Sequence, residues 1–181
     1  MEIKKIHLYA KNGKRDDLIN YLNSNPINID IKGEKNCTPL HYASREKKLE
    51  IVEILLQYNA DIHQVNDYAT RYAIFEVLNS NVEEENLPFI KLFLAKGIDK
   101  SLTDAFGNTP LHYAIEQNDI ALVEFLLQNN FDANLTKRED KDTPLHYACF
   151  QKNSTIINLL IKHGANQTLC NIYNKRAKEY L

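Results

Sequence analysis

His41, His112 and His146 are the residues whose type and spacing first suggest chemistry, because each sits in the same hexapeptide, TPLHYA, at Thr38–Ala43, Thr109–Ala114 and Thr143–Ala148. Imidazoles that recur at intervals could gather a metal ion or supply a general base. The cysteines that would complete a metal site are Cys37, Cys149 and Cys170. They show no CxxC spacing and are odd in number, so reduced thiols are expected rather than a zinc knuckle or a disulfide framework. No Ser, Cys or Asp lies in a nucleophile elbow, no Gly-rich phosphate loop occurs, and the acids stand singly on helix surfaces or in hairpins. The expectation is no catalytic residue, no metal and no cofactor.

The elements that must carry the histidines follow from the hexapeptide spacing. Thr109 and Thr143 lie 34 residues apart and Thr38 and Thr109 lie 71 apart, which leaves room for one more copy. Self-similarity at a fixed period marks an array of like units. Within a unit, Thr38 suits an N-cap and Pro39 the first helical position, where its missing N–H costs nothing. A second helix follows in LEIVEILLQYNAD from Leu49, LPFIKLFLAKGID from Leu87, IALVEFLLQNNFD from Ile120 and STIINLLIKHGAN from Ser154. Ile51, Val52, Leu55 and Leu56 give the first of these an apolar stripe. The helices should end at Asn59, Gly97, Asn130 and Gly164, since Gly and Asn best tolerate the left-handed conformation that stops a helix. Successive motif histidines would then sit roughly 10 Å apart, the usual separation of packed helices. That is too far for a shared ion with ligands at roughly 2 Å.

TPLH-x-A at a period near 33 residues, followed by an IVxxLL-type helix and a Gly/Asn-Ala-Asp turn, resembles the ankyrin repeat over nearly the whole chain. The resemblance implies an all-α fold: a solenoid of about five helix pairs with a concave face, β-hairpin or extended connections near Gly33, Asp67, Ala105 and Glu139, and a short C-terminal cap. Approximate units are 1–30, an N-terminal cap, then 31–63, 64–101, 102–135, 136–169 and the capping segment 170–181, all in one domain. No unit can bury its apolar stripe alone; its neighbours supply the other half of the core. In the family the motif His is structural, bonding the Thr hydroxyl and nearby backbone, and the same is implied for His41, His112 and His146.

The third unit is degraded. NDYATRYAIFEVL offers Ala73 as the match to the motif Ala, with Arg71 where His would stand. The stretch NSNVEEEN, residues 79–86, lengthens the link between its helices and reads as a solvated acidic loop or an accessory contact for a basic partner. IHLYAKNGKRDDLINYL at the start has the polar face of a terminal cap, and NKRAKEYL places Arg176, Ala177 and Lys178 where Thr, Pro and Leu would come.

The formal net charge of −2 lacks the basic excess that nucleic-acid binding requires. No apolar run approaches the roughly 20 residues of a membrane span, and MEIKKIHLYAKNGK is too polar for a secretory signal. A cytoplasmic monomer is expected, or one in a host cytosol if delivered as an effector, binding another protein but neither nucleic acid nor membrane. By resemblance, partners contact the hairpin tips at Glu34, Lys35, Cys37, Asp67, Tyr68, Ala105, Phe106, Asn108, Arg138, Glu139 and Asp140. They also contact the first helices at Arg45, Glu46, Ile74, Phe75, Glu116, Gln117, Phe150 and Gln151. Phe75, Phe106 and Phe150 are either binding anchors or rings folded onto a neighbouring hairpin. Tyr42, Tyr113 and Tyr147 form either part of that interface or a half-buried seam between helices.

The leading functional expectation is a noncatalytic adaptor, inhibitor or effector working through its concave face. An alternative is a target of a modifying enzyme. LLQNNFDANL contains Asn134, and L-x5-D-x-N resembles the asparaginyl-hydroxylation pattern, with Ala133 in place of the commoner Val. A small-molecule enzyme would need a closed polar pocket.

Overall fold

The computed structural model describes residues 4–24, 28–68, 70–80 and 85–181. Among these, ten α-helices follow one another in five pairs, with no strand beyond two isolated bridges, Val65 with Tyr72 and Cys170 with Arg176. The pairs are α1 (Lys5–Asn12) and α2 (Arg15–Ser24), α3 (Pro39–Arg45) and α4 (Leu49–Gln57), α5 (Ala73–Leu78) and α6 (Leu87–Ala95), α7 (Pro110–Glu116) and α8 (Ile120–Gln128), and α9 (Pro144–Phe150) and α10 (Ser154–Lys162). A 3-10 turn, Ala177–Tyr180, follows. The all-helical array expected from the repeats is therefore what forms.

The helices belong to two compact units, Met1–Ile98 and Asp99–Leu181. In the first, α1, α3 and α5 pack in succession, α2, α4 and α6 pack in a second row, and each first helix packs on its own second helix. In the other, α7 packs on α8 and α9, α10 on α8 and α9, and the 3-10 turn on α9. Apolar residues meet where the rows face: Leu40, Ile51, Leu55, Ile74, Leu78 and Ile90 in the first unit, and Leu111, Leu122, Leu126, Leu145, Ile156 and Leu160 in the second, are buried. Each such side chain contributes roughly 1.5–3 kcal/mol on burial. Ala43 and Ala114 are completely buried, consistent with small residues letting helices approach. In α2 only Leu18 is buried.

Backbone reversals recur with the repeat. Asn59, Gly97, Asn130 and Gly164 all have positive φ, 62, 80, 61 and 89°, and stop the second helices as expected. Lys47, Asn118 and Lys152 turn the chain between the helices of a pair, with φ of 45, 57 and 56°. The finger-like connections are short backbone closures: Gly33 N–H donates to Cys37 O, Asn66 to Arg71, Asp104 to Asn108, Lys137 to Asp142 and Asn171 to Lys175. Gly107 is required at its tip, where φ is 82° and a Cβ would lie 2.6 Å from the Arg138 nitrogen.

The third repeat corrects the alignment read from sequence. α5 starts after Tyr72, which is its N-cap, so Tyr72 takes the place of the motif Thr, Phe75 that of His and Glu76 that of Tyr. Arg71 is not the histidine equivalent; it lies four positions before Phe75, and its carbonyl accepts from the His41 ring. Of the expected acidic loop 79–86, residues 81–84 lie outside the described residues. Asn86 is buried and Glu85 exposed.

Candidate protein-binding surface

The motif histidines spend both ring nitrogens on the scaffold. Nδ1 of His41, His112 and His146 accepts from the amide of Thr38, Thr109 and Thr143, each at 3.2 Å, and meets the Thr hydroxyl at 2.8, 2.9 and 2.7 Å. That fixes the proton on Nε2, which donates to the carbonyl of the next repeat at Arg71, Asp142 and Lys175, at 3.1, 3.4 and 3.1 Å. Burial drives the pKa of His41 and His112 down to about 4, which keeps the rings neutral in their amide contacts. His7, which sequence reading passed over, makes the same lock: Nδ1 accepts from Lys4 N–H at 3.2 Å and Nε2 lies 2.9 Å from Ile31 O. The signal was there in an apolar residue directly before His, as in Leu40-His41. Among the described residues no three His, Cys, Asp or Glu side chains gather as a metal site would require.

Tyrosines complete the lock between repeats. Tyr42 lies edge-on to His7, Tyr147 to His112 and Tyr180 to His146, with ring centroids 5.4, 5.7 and 6.2 Å apart. Tyr42 and Tyr113 are buried, and the Tyr113 hydroxyl donates to Asp104 at 2.9 Å. Tyr42 and Tyr147 thus take the seam reading, each within its own unit.

The tips are stitched by backbone. Asp67 N–H donates to Lys35 O at 2.8 Å, Arg138 to Phe106 at 3.0 Å and Ile172 to Asp140 at 2.9 Å. Side chains beyond these bonds face solvent. Phe106 is 48% exposed and Phe150 71%; Lys35, Tyr68, Glu116, Gln117, Arg138, Glu139 and Gln151 are exposed as well. Asn108 folds back on Asp104 Oδ2 at 3.1 Å. Phe150 stands at an angle to Tyr180, centroids 6.4 Å apart, beside an apolar hollow of about 230 Å³ that Asp142, His146, Tyr147, Phe150 and Tyr180 line.

Three expected contact residues are not surface residues. Phe75 and Ile74 are completely buried, because α5 buries every one of its residues and Phe75 occupies the histidine position. Cys37 is also fully buried, and that burial pushes its thiol pKa up. Asn134 is half-buried, with Oδ1 accepting from Asn166 N–H at 2.7 Å and Nδ2 donating to Gly164 O at 3.1 Å, so its amide braces the next repeat.

Arg45 and Glu46 are half-buried around a group that sequence reading missed. Glu76 is 3% exposed; its carboxylate accepts from Arg45 Nε at 2.7 Å and from Asn66 Nδ2 at 2.6 Å. The Glu76 hydrogen bond holds the Arg45 guanidinium protonated by raising its pKa, and the Tyr68 ring stacks with it at 4.9 Å. An open hollow of about 440 Å³ lies here, lined by Arg45, Glu46, Tyr68, Arg71, Glu76, Asn79 and Ser80.

A repeated helix pair, a Thr–His lock and tips stitched to their neighbours within each unit define an ankyrin-repeat protein. The family model of ankyrin repeats, three copies, matches residues 5–76 and 78–171, and the chain belongs to that family. It is 30% identical to an ankyrin repeat protein of fowlpox virus over 91 residues, 50% of this chain and 60% of that one. It is also 32% identical to a palmitoyltransferase of Lachancea kluyveri over 125 residues, 66% of this chain and 16% of that one. The chain thus spans less than two thirds of either relative. Among solved structures, an ankyrin repeat domain from Acinetobacter baumannii superposes with a TM-score of 0.86 at 21% identity, covering 97% of this chain and 88% of that one. A chain from the complex of a predatory endopeptidase of Bdellovibrio bacteriovorus with an immunity protein gives 0.82 at 21% identity, covering 99% and 91%. Ankyrin repeats generally mediate protein–protein interaction, and among the described residues no helix is long and apolar enough to cross a membrane.

Proposed function

We propose that this chain is a noncatalytic protein-binding module, an adaptor, inhibitor or effector, that engages its partner through the finger tips and the exposed ends of the first helices. The observation that carries this reading is the exposure of Phe106 and Phe150, 48% and 71%, among tips and helix ends whose other exposed residues include Glu116, Gln117, Arg138, Glu139 and Gln151. Large apolar rings among polar neighbours are the usual makeup of binding anchors. Scaffold chemistry is elsewhere: the histidine rings, the Thr caps and the tyrosine seam are committed to stacking. The mixed signs of Glu116, Arg138 and Glu139 favour a shape-selected partner over one recruited by bulk charge. A structural neighbour found in a complex between two proteins supports the same reading.

The test is affinity capture with the full chain and with the Phe106→Ala/Phe150→Ala double variant. The proposal expects the variant to lose the partner while its helical circular dichroism and melting temperature stay within the scatter of the parent. Undiminished capture would move the interface away from these residues.

A further inference from the structure

The third repeat lacks the tyrosine that its counterparts carry after the motif position. Tyr42, Tyr147 and Tyr180 each set a ring against the imidazole of the repeat before, whereas the equivalent position after His41 is Glu76. A glutamate fills less space than a tyrosine, and the open hollow of about 440 Å³ lies at this substitution. Glu76 itself is spent, since Arg45 and Asn66 occupy both its oxygens. Arg45 gives its Nε to that pair.

Arg71 is different. It lines the same hollow, yet its Nε is closed off from water with no acceptor, and among the described residues no carboxylate pairs with its guanidinium. A partly desolvated cation without a counter-charge costs free energy that a bound anion would return. The charges around the hollow say which anion. Arg45 is paired with Glu76, and Glu46 lines the hollow as well, so Arg71 is the lining cation left to meet an anion, one charge where a dianion such as phosphate would call for two. A carboxylate carries a single charge and is planar, matching the fork of a guanidinium. The Tyr68 ring, 42% exposed, offers an apolar wall for the methylene groups that carry it.

We infer that this hollow receives the side-chain carboxylate of an Asp or Glu residue on the bound protein partner, with Arg71 as its counter-ion. The inference rests on the protein-binding reading above. Its test does not use the captured partner, so either can fail alone.

The experiment follows the arginine Nε–Hε resonances of the full chain by ¹⁵N–¹H NMR at constant ionic strength. The probes are N-acetyl-Gly-Glu-Gly-amide, its Gln counterpart, sodium acetate and inorganic phosphate. The Arg71 resonance should move saturably with the Glu peptide, and binding by the Gln peptide should be about tenfold weaker or more, the loss expected for one charge-assisted contact. Arg71→Gln should remove the response of the Tyr68 and Asn79 amides while helical circular dichroism is kept. The inference is overturned if Arg71 does not respond to the Glu peptide, or if acetate or phosphate binds as tightly as that peptide. It is equally overturned if Glu83→Gln with Glu84→Gln moves the Arg71 resonance without any peptide, which would make the chain's own acidic stretch the occupant.

Discussion

Acidification should loosen both units through His41 and His112. Each ring accepts a backbone N–H at Nδ1, so a proton added there would oppose a donor to a donor inside the fold. Burial holds both pKa values at about 4, against 6.5 for a free imidazole. Between these values the unfolded chain takes up protons that the folded chain refuses. The stabilisation is thus complete above about pH 6.5 and lost as pH falls toward about 4. At about 1.4 kcal/mol per tenfold difference in proton affinity, each ring contributes about 3 kcal/mol in full, and about 2 kcal/mol of it is gone by about pH 5. His7, also lowered by burial, acts in the same direction. Urea unfolding followed by circular dichroism at about pH 7, 6 and 5 would read the effect above the range where most carboxylates titrate. His112→Gln should flatten the pH dependence of the second unit whatever it does to absolute stability. A midpoint that does not fall between about pH 7 and about pH 5, or an imidazolium signal from His41 by ¹⁵N NMR at about pH 5.5, would refute the neutral-lock argument.

The glycines separate close approach from mere backbone sign. Gly107→Ala should cost well over the roughly 1 kcal/mol of a strained positive φ, because the new Cβ meets the Arg138 nitrogen at 2.6 Å. Gly164→Asn should be nearly neutral by thermal melt, since nothing lies within 4 Å of its Cβ position and Asn59 and Asn130 already serve at that place. The third repeat should open first: α5 has no side-chain cap, worth on the order of 1 kcal/mol. Hydrogen exchange should find the amides of Tyr72–Leu78 less protected than those of Leu111–Glu116, and equal protection would contradict this. Asn134→Ala should lower the urea midpoint by the equivalent of about 1–2 kcal/mol, the worth of the two side-chain hydrogen bonds, one donated and one accepted, that it makes with the next repeat.

What sequence made legible was local chemistry. Thr-Pro, the following His and the Gly or Asn that ends each second helix act within a few residues of themselves, so TPLHYA placed α3, α7 and α9 correctly. The third repeat resisted for a physical reason. AIFEVL is buried on every side, so it has no polar face to fix its phase, and Tyr72 lacks the side-chain cap that marks a start. Aligning it by its alanine slid the register by four residues, placing Phe75 on the surface and hiding Glu76. The partner of Glu76 is Arg45, 31 residues earlier, a contact made by stacking and invisible to spacing. Phe106 and Phe150 look no different in sequence from Phe75; only the packing of each tip and helix separates the exposed rings from the buried one.

Hydrogen exchange on the complex with its captured partner tests the central claim most directly. Binding should slow exchange at the tips around residues 104–108 and 138–142 and at the end of α9 beside Phe150, with the outer residues of α8 and α10, such as Glu124 and Asn158, unchanged. Protection confined to α8 and α10, with the tips exchanging as in the free chain, would contradict a protein-binding surface built from finger tips and first helices.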